Sequence, residues 1–375
     1  MPIFIVSSIL LVVACDPDET PKTRIDLRDI SYDPVDVTLP APDGFPIATL
    51  SADNPLTADG IELGRRLFYD PILSADSTQS CSSCHLQEFA FSDPRQFSIG
   101  VDGIAGRRNS MALINLAFNS NGFLWDGRSA TLEAQAAEPV QDPVELHENW
   151  PNVEVKLQRN AMYQEYFRKA FGIEFSDEIT KDLATKALAQ FVSTLVSYRS
   201  TFDKSRGFVP VQGIRPVLTE AEERGRSLFF ESNDSIGEDP QCGHCHNTEL
   251  FTNNSYRNNG LDAANGFDDF PDLGFGGVTG FNNDKGKFRT PTVRNIELTA
   301  PYMHDGRFNT LEEVLDHYNE HVQSSPTLDA NLAVPFNNYG GLLLSEKDKA
   351  DIIAFLKTLT DMDFIKDPAF SNPFE

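Results

Sequence analysis

A mainly α-helical chain of two small domains related by internal duplication, with long loops, is predicted by three observations. Apolar residues recur at helical spacing behind good N-cap residues, no segment alternates as a half-buried strand does, and one ordered series of short motifs occurs twice. The 375 residues suit two or three domains and suffice for sizeable cores. With 31 basic and 56 acidic residues the formal charge is −25, which argues against nucleic acid and anionic lipid headgroups as partners. A hydrophobic content of 40% with 28 Phe is too rich for a disordered chain. No apolar stretch reaches the roughly 18 residues of a spanning helix.

Residues 1–15 read as an exported leader: an uncharged apolar segment runs to Ala14, and Val12-Val13-Ala14-Cys15 resembles a lipoprotein box in which Cys15 is lipidated. That predicts a periplasmic protein whose only membrane contact is a lipid anchor. Residues 16–55, heavy in Pro and Asp, are expected to form an extended tether and docking arm. The first domain is placed at 56–205. Thr57 caps a helix to about Tyr69, and Ile179, Leu183, Ala187, Phe191 and Leu195 mark a long helix over 177–199.

The second domain is placed at 216–365. Thr219 caps 220–231 with Glu222 at capping-box spacing. Thr310 caps a helix with Leu311, Val314, Leu315, Tyr318 and Val322 on its apolar face, which leaves His317 and His321 on a solvated one. Ser345 opens the last helix, through Leu359. The repeated series begins with Gly64-Arg65-Arg66-Leu67-Phe68 and Gly225-Arg226-Ser227-Leu228-Phe229. It ends with Trp125-Asp-Gly-Arg-Ser-Ala-Thr-Leu-Glu133 and His304-Asp-Gly-Arg-Phe-Asn-Thr-Leu-Glu312. An extra stretch of about 18 residues falls in the Asn/Gly/Asp-rich segment 253–287, read as an ordered loop or lid.

Four of the five cysteines form Cys81-Ser-Ser-Cys84-His85 and Cys242-Gly-His-Cys245-His246, at equivalent places in the two halves. C-x-x-C-H is the attachment signature of c-type haem: two thiols bond the vinyl groups and the adjacent His ligates the iron. A redox dithiol, a disulfide or a zinc knuckle would use the cysteines but leave both trailing histidines unexplained. Two covalent haems, each in a cytochrome-c-like domain, are therefore expected.

Superposing the Asp-Gly-Arg strings sets Tyr318 opposite Pro139. A phenolate can ligate haem iron, which makes Tyr318 the candidate sixth ligand of the second haem, with Met303 and His321 as rivals. Proline cannot ligate, so the first haem keeps an open face. Gln135 and Glu145 lie close by in sequence, and a carboxylate over an open haem can move a proton between the two oxygens of bound peroxide.

The series Gly-Arg-Arg-Leu-Phe-Tyr-Asp-Pro71, Cys81-x-x-Cys-His85, Arg-Asn109-Ser, Trp125-Asp-Gly-Arg, Gln135-x-x-x-Pro139, Glu145, the second C-x-x-C-H and Thr299-Ala-Pro-Tyr-Met-His304 resembles the bacterial di-haem cytochrome c peroxidases and the related MauG enzymes. The resemblance spans about 56–360. It implies that the first haem is peroxidatic, that the second relays electrons, and that Gln135 and Glu145 line the peroxide pocket. It also implies that Trp125 bridges the haems and that Asn109, with backbone oxygens of Thr299 and Pro301, holds a calcium ion.

Two departures stand out. Val101 occupies the place of a His that blocks the first iron in many of these peroxidases, so the first haem is expected to be five-coordinate when oxidised. Tyr318 stands where the usual peroxidase has Met, as in MauG. The expected activity is reduction of hydrogen peroxide with electrons from a small periplasmic donor, a cytochrome c or a cupredoxin. A MauG-like oxidase acting on a protein side chain or an organic substrate is the alternative, and a non-enzymatic electron-transfer cytochrome is a third reading of another class. The acidic surface suits a donor with a basic docking face.

Overall fold

The computed structural model describes residues 24–40, 42–231 and 242–375, and the leader with Cys15 lies outside them. The first half is built on helix α1 (Ala58–Tyr69), where the Thr57 side chain accepts from the Gly60 N–H and Leu63, Leu67 and Phe68 form the buried stripe. Helices α2 (Leu132–Gln141), α3 (Trp150–Arg159) and α4 (Ala161–Phe171) follow. Helix α5 (Lys181–Ser193) then packs across α1. Their backbones meet at Gly64, where an added Cβ would lie 1.9 Å from the Ala187 carbonyl oxygen.

Helix α5 is shorter at both ends than 177–199. Thr180 is its N-cap, accepting from Leu183 N–H, and Ser176–Glu178 makes a separate 3₁₀ turn. Ile179 and Leu195 are fully buried all the same, so the apolar spacing reports burial beyond the helix ends. Helix α6 (Thr201–Arg206) leads out of this half.

The second half repeats the central crossing. Helix α7 (Glu220–Phe230) starts at the Thr219/Glu222 capping box, and α8 (Cys242–Cys245) and α9 (Phe275–Thr279) are short. They are followed by α10 (Leu311–Asp316), α11 (Ala330–Tyr339), α12 (Glu346–Lys357) and α13 (Met362–Ile365). Helix α12 packs on α7, and a Cβ on Gly225 would lie 1.8 Å from the Asp351 carbonyl oxygen. Ser345 does open α12 with a capping box, but α12 ends at Lys357 and is not the last helix. Asp361 caps α13, and its other carboxylate oxygen accepts from Ser197 Oγ and the Tyr198 and Arg199 N–H groups, tying the C-terminus to the first half.

Among the described residues the sheet content is one antiparallel pair, β1 (Tyr256–Arg257) with β2 (Phe288–Arg289). The segment 253–287 is thus ordered, with β1, α9 and a 3₁₀ turn at Asn282–Asp284. One apolar cluster joins α1, α4 and α5 and takes in Phe364 and Ile365 of α13. A second joins α7, α10 and α12 around Phe202, Phe229, Phe251 and Phe355, whose rings meet edge-on or tilted. Beside it the Arg294 guanidinium, fully buried, makes two 2.8 Å bonds to the Asp203 carboxylate. The described part of the N-terminal arm is extended and docked: Leu27 N–H donates to Glu174 O, and the Phe45 ring meets Phe118 edge-on.

Candidate functional site

Each C-x-x-C-H motif sits on a single tight turn, a 3₁₀ turn at Cys81–Ser83 and helix α8 at Cys242–Cys245. Among the described residues none of these four cysteines is in a disulfide. Burial pushes the Cys81 thiol up to about 12, and also raises Cys84 and Cys245. Redox dithiols and zinc thiolates need the opposite shift. Among the described residues no group of three His, Cys, Asp or Glu is arranged to hold a metal ion.

The two histidines are held alike. His85 Nδ1 lies 2.8 Å from Phe91 O and His246 Nδ1 lies 3.3 Å from Phe251 O. A carbonyl only accepts, so Nδ1 carries the proton and Nε2 keeps its lone pair, the tautomer an iron ligand needs. Burial keeps both rings neutral, lowering His85 and taking His246 down to about 4.

Two cavities open beside these histidines. The first, of about 1010 Å³, is walled by His85, the Phe68, Leu116, Leu188 and Val192 side chains, and Gln135, Pro139 and Glu145. The second, of about 250 Å³, is walled by His246, Phe229, Leu311, Leu315, Met303 and Tyr318. Arg289 lines both. Its guanidinium is buried, Nε has no partner, and Nη1 reaches only Gly122 O at 3.2 Å. With no carboxylate beside it among the described residues, burial lowers Arg289 to about 10. An apolar slot with a neutral axial imidazole, two thiols and a buried cation lacking its anion fits a haem with ionised propionates.

The faces opposite the histidines differ. In the first cavity α2 stays α-helical through Pro139, whose carbonyl accepts from Leu146 N–H and so folds the following loop back over the cavity. That loop carries Glu145. Of the acids nearby, Glu138 is engaged by Arg128 and Ser129, and Asp142 accepts from Val144 N–H. No hydrogen bond or ion pair holds the Glu145 carboxyl among the described residues. Its surface faces the cavity, yet protein surrounds it, and burial with a smaller push from Asp142 raises it to about 7. Val101 does not line the cavity. Its N–H donates to Glu145 O at 2.9 Å, while Ile99 and Gly100 form the wall there.

In the second cavity α10 continues as a π-helical turn, His317–His321. The wider turn changes which residues face inward. His317 is consequently buried against Phe308, its Nε2 3.0 Å from Asn259 O, which corrects the expectation of a solvated His317/His321 face; only His321 is exposed. Tyr318 points into the cavity, and burial pushes its phenol up to about 12. The Asn259 amide Nδ2 lies 3.4 Å from both Tyr318 OH and Met303 Sδ.

Trp125 lines both cavities, its Nε1–H donating to Asn109 O at 2.8 Å and its ring edge-on to His304 at 6.5 Å. Asn109, Thr299 and Pro301 line the second cavity together. The Asn109 Nδ2 donates to Arg95 O and Gln96 O, so Oδ1 is the side-chain atom left to accept or coordinate. Across the mouth, Arg108 bridges Asp126 to Asp272 of the 253–287 segment. Arg108 and His304 lie inside motifs of the ordered series without a role read for them, whereas Arg289 and Asn259 carry no motif signal. For Asn259 only its Asn/Gly-rich setting could have singled it out.

A family model described as di-haem cytochrome c peroxidase matches residues 58–207 and 219–339. The chain belongs to the di-haem cytochrome c peroxidase family. It is 36% identical over 319 residues to cytochrome c551 peroxidase of Nitrosomonas europaea, covering 84% of each chain. It is 35% identical over 311 residues to methylamine utilization protein MauG of Methylorubrum extorquens, covering 82% of this chain and 79% of that one. Among solved structures, a MauG-like protein associated with microbial copper homeostasis superposes with a TM-score of 0.75 at 34% identity, over 89% of this chain and 99% of that one. The family implies two haem c groups. Among the described residues no helix is long and apolar enough to cross a membrane.

Proposed function

We propose that this protein is a di-haem c-type peroxidase that reduces hydrogen peroxide to water, with electrons from a small periplasmic donor relayed by the C-terminal haem. The observation that carries the reading is the contrast across one superposed position: Pro139 with an unengaged Glu145 over the first cavity, Tyr318 over the second. The haems, held by Cys81, Cys84 and His85 and by Cys242, Cys245 and His246, supply the electron-transfer and oxygen-bond-breaking chemistry when bound.

The chain's own residues handle the protons of H2O2 + 2H⁺ + 2e⁻ → 2H2O. Glu145, poised near neutrality, would take the proton from one peroxide oxygen and return it to the other, which leaves as water. Gln135 fixes the peroxide by hydrogen bonding from the same wall. Trp125, which lines both cavities, would carry electrons between them, and Arg289, which also lines both, would neutralise the propionates of the bound groups. Val101 and its neighbours offer no blocking ligand, so the first site accepts peroxide without prior reduction.

The remaining assignments belong to the same reading. Domains at 56–205 and 216–365 derive from one duplication, as the matching Gly64 and Gly225 crossings support. A calcium ion is held by Asn109 Oδ1 with the Thr299 and Pro301 carbonyl oxygens. Cys15 carries a lipid that anchors the protein in the periplasm. A cytochrome c or cupredoxin docks by a basic face, weakening as salt rises.

Tyr318 favours a second reading, a MauG-like oxidase, because a phenolate stabilises ferric iron and disfavours delivery of electrons from a mild donor. Steady-state turnover of peroxide with reduced cytochrome c or cupredoxin decides between them. Rapid donor oxidation in the ratio of two electrons per peroxide supports the peroxidase. A fast spectral response to peroxide with negligible donor oxidation would replace it with the oxidase, and inertness to peroxide would leave an electron carrier.

A further inference from the structure

We infer that Asn259 sets the ferric–ferrous balance of the second haem by donating its side-chain N–H to the Tyr318 oxygen. This rests on Tyr318 being that haem's distal ligand. A ligating phenolate oxygen has lone pairs to accept a hydrogen bond and no proton to give, so the amide facing it must present Nδ2, the atom found 3.4 Å away. The contact is long, and the same nitrogen is shared with Met303 Sδ, a weaker acceptor.

The donor is held firmly by its surroundings. Asn258 Oδ1 accepts from Gly260 N–H, and Asn258 Nδ2 donates to Thr327 Oγ1 at 2.9 Å. Asp329 N–H donates to Asn258 O, and Gln323 N–H donates to Gly260 O. The Asn259 carbonyl itself is bound by His317 Nε2 at 3.0 Å, one residue before Tyr318. Since a carbonyl only accepts, His317 carries its proton on Nε2 and links the π turn directly to the donor's backbone. Donor and acceptor are thus two ends of one braced unit.

Charge explains the consequence. A hydrogen bond to the phenolate withdraws electron density from the iron's ligand and stabilises the ferrous state relative to an unassisted phenolate. Asn259 lies in the 253–287 segment, within which the extra stretch of about 18 residues falls, so the longer second half supplies both a ligand and the group that moderates it.

The test uses the full chain with both haems in place, in a Met303→Leu background that removes the competing acceptor. Spectroelectrochemical titration compares this parent with Asn259→Leu, Asn259→Ala and Asn259→Gln, and the first haem serves as internal control for folding. Leu and Ala should each shift the second haem's equilibrium toward ferric by about three- to tenfold, the scale of an ordinary net hydrogen bond, as suits so long a contact. Gln, which keeps the amide, should recover part of the shift, and the first haem's value should not move. An unchanged second-haem equilibrium in both Leu and Ala variants, with Tyr318→Phe altering that haem's spectrum, would overturn the role of Asn259 while leaving the ligand in place. A Tyr318→Phe spectrum identical to wild type would remove the ligand assignment beneath it.

Discussion

The two haem sites share a proximal side and part ways on the distal one. His85 and His246 are each neutral, buried and oriented by a carbonyl a few residues on, and each site sits against a helix crossing closed at glycine. Opposite them, a helix that stays α-helical through a proline leaves room for an unengaged carboxyl, while a π turn drives a tyrosine into the cavity. The lesson is that attachment chemistry does not decide function. On the proposed reading, a one-residue change of helical phase, together with one side chain, separates a site open to a small oxidant from a capped one.

The most severe break of this contrast is Glu145→Gln. It should lower kcat/KM for peroxide by about 10²–10⁴-fold, the span of a general acid–base group, and leave the spectra of both resting haems unchanged. Steady-state kinetics beside absorption spectra check it. Loss of activity accompanied by loss of a haem would instead mean that Glu145 shapes the site.

The sameness of the two scaffolds is tested by Gly64→Ala and Gly225→Ala. Each puts a Cβ within 2 Å of a carbonyl oxygen, so each should destabilise its own half by about 1–3 kcal/mol in denaturant melts followed at the corresponding haem. Unequal costs, with only one half responding, would show that the crossings are not equivalent.

The pH profile sharpens the account of Glu145. Its carboxyl is raised to about 7 by burial, so the basic form it needs to accept the peroxide proton is the deprotonated one, present above that value and lost below it. Peroxide turnover should climb through neutrality and fall about tenfold per unit below it, and Glu145→Gln should flatten the profile. A wild-type profile flat from pH 5 to 8 contradicts this assignment.

The smallest effect is expected at the mouth. Arg108→Gln releases the 253–287 segment from Asp126, costing no more than about 1 kcal/mol for such partly exposed pairs, with faster local hydrogen exchange across 270–287 as the readout. Unchanged exchange there would show that other contacts hold the segment.

Much of this contrast was legible in the sequence. The haem motifs, the caps at Thr57, Thr219 and Ser345, and the pairing of Pro139 with Tyr318 follow from local chemistry and spacing. What escaped depended on geometry that spacing does not encode. A π turn has no composition signature, so α-helical spacing places His317 on a solvated face that the structure instead buries. Apolar periodicity ran past the ends of α5 because Ile179 and Leu195 stay in the core after the helix stops. Arg289 and Asn259 matter through neighbours more than 100 residues away or across a loop, and one chain read in order does not reveal such meetings.

Resting ferric spectroscopy tests the central claim most directly. Electron paramagnetic resonance with near-infrared magnetic circular dichroism on the oxidised protein should show one high-spin five-coordinate haem and one low-spin haem with histidine and phenolate axial ligands, and Tyr318→Phe should change only the latter. Two low-spin haems, each with two protein ligands and unaffected by peroxide, would contradict it.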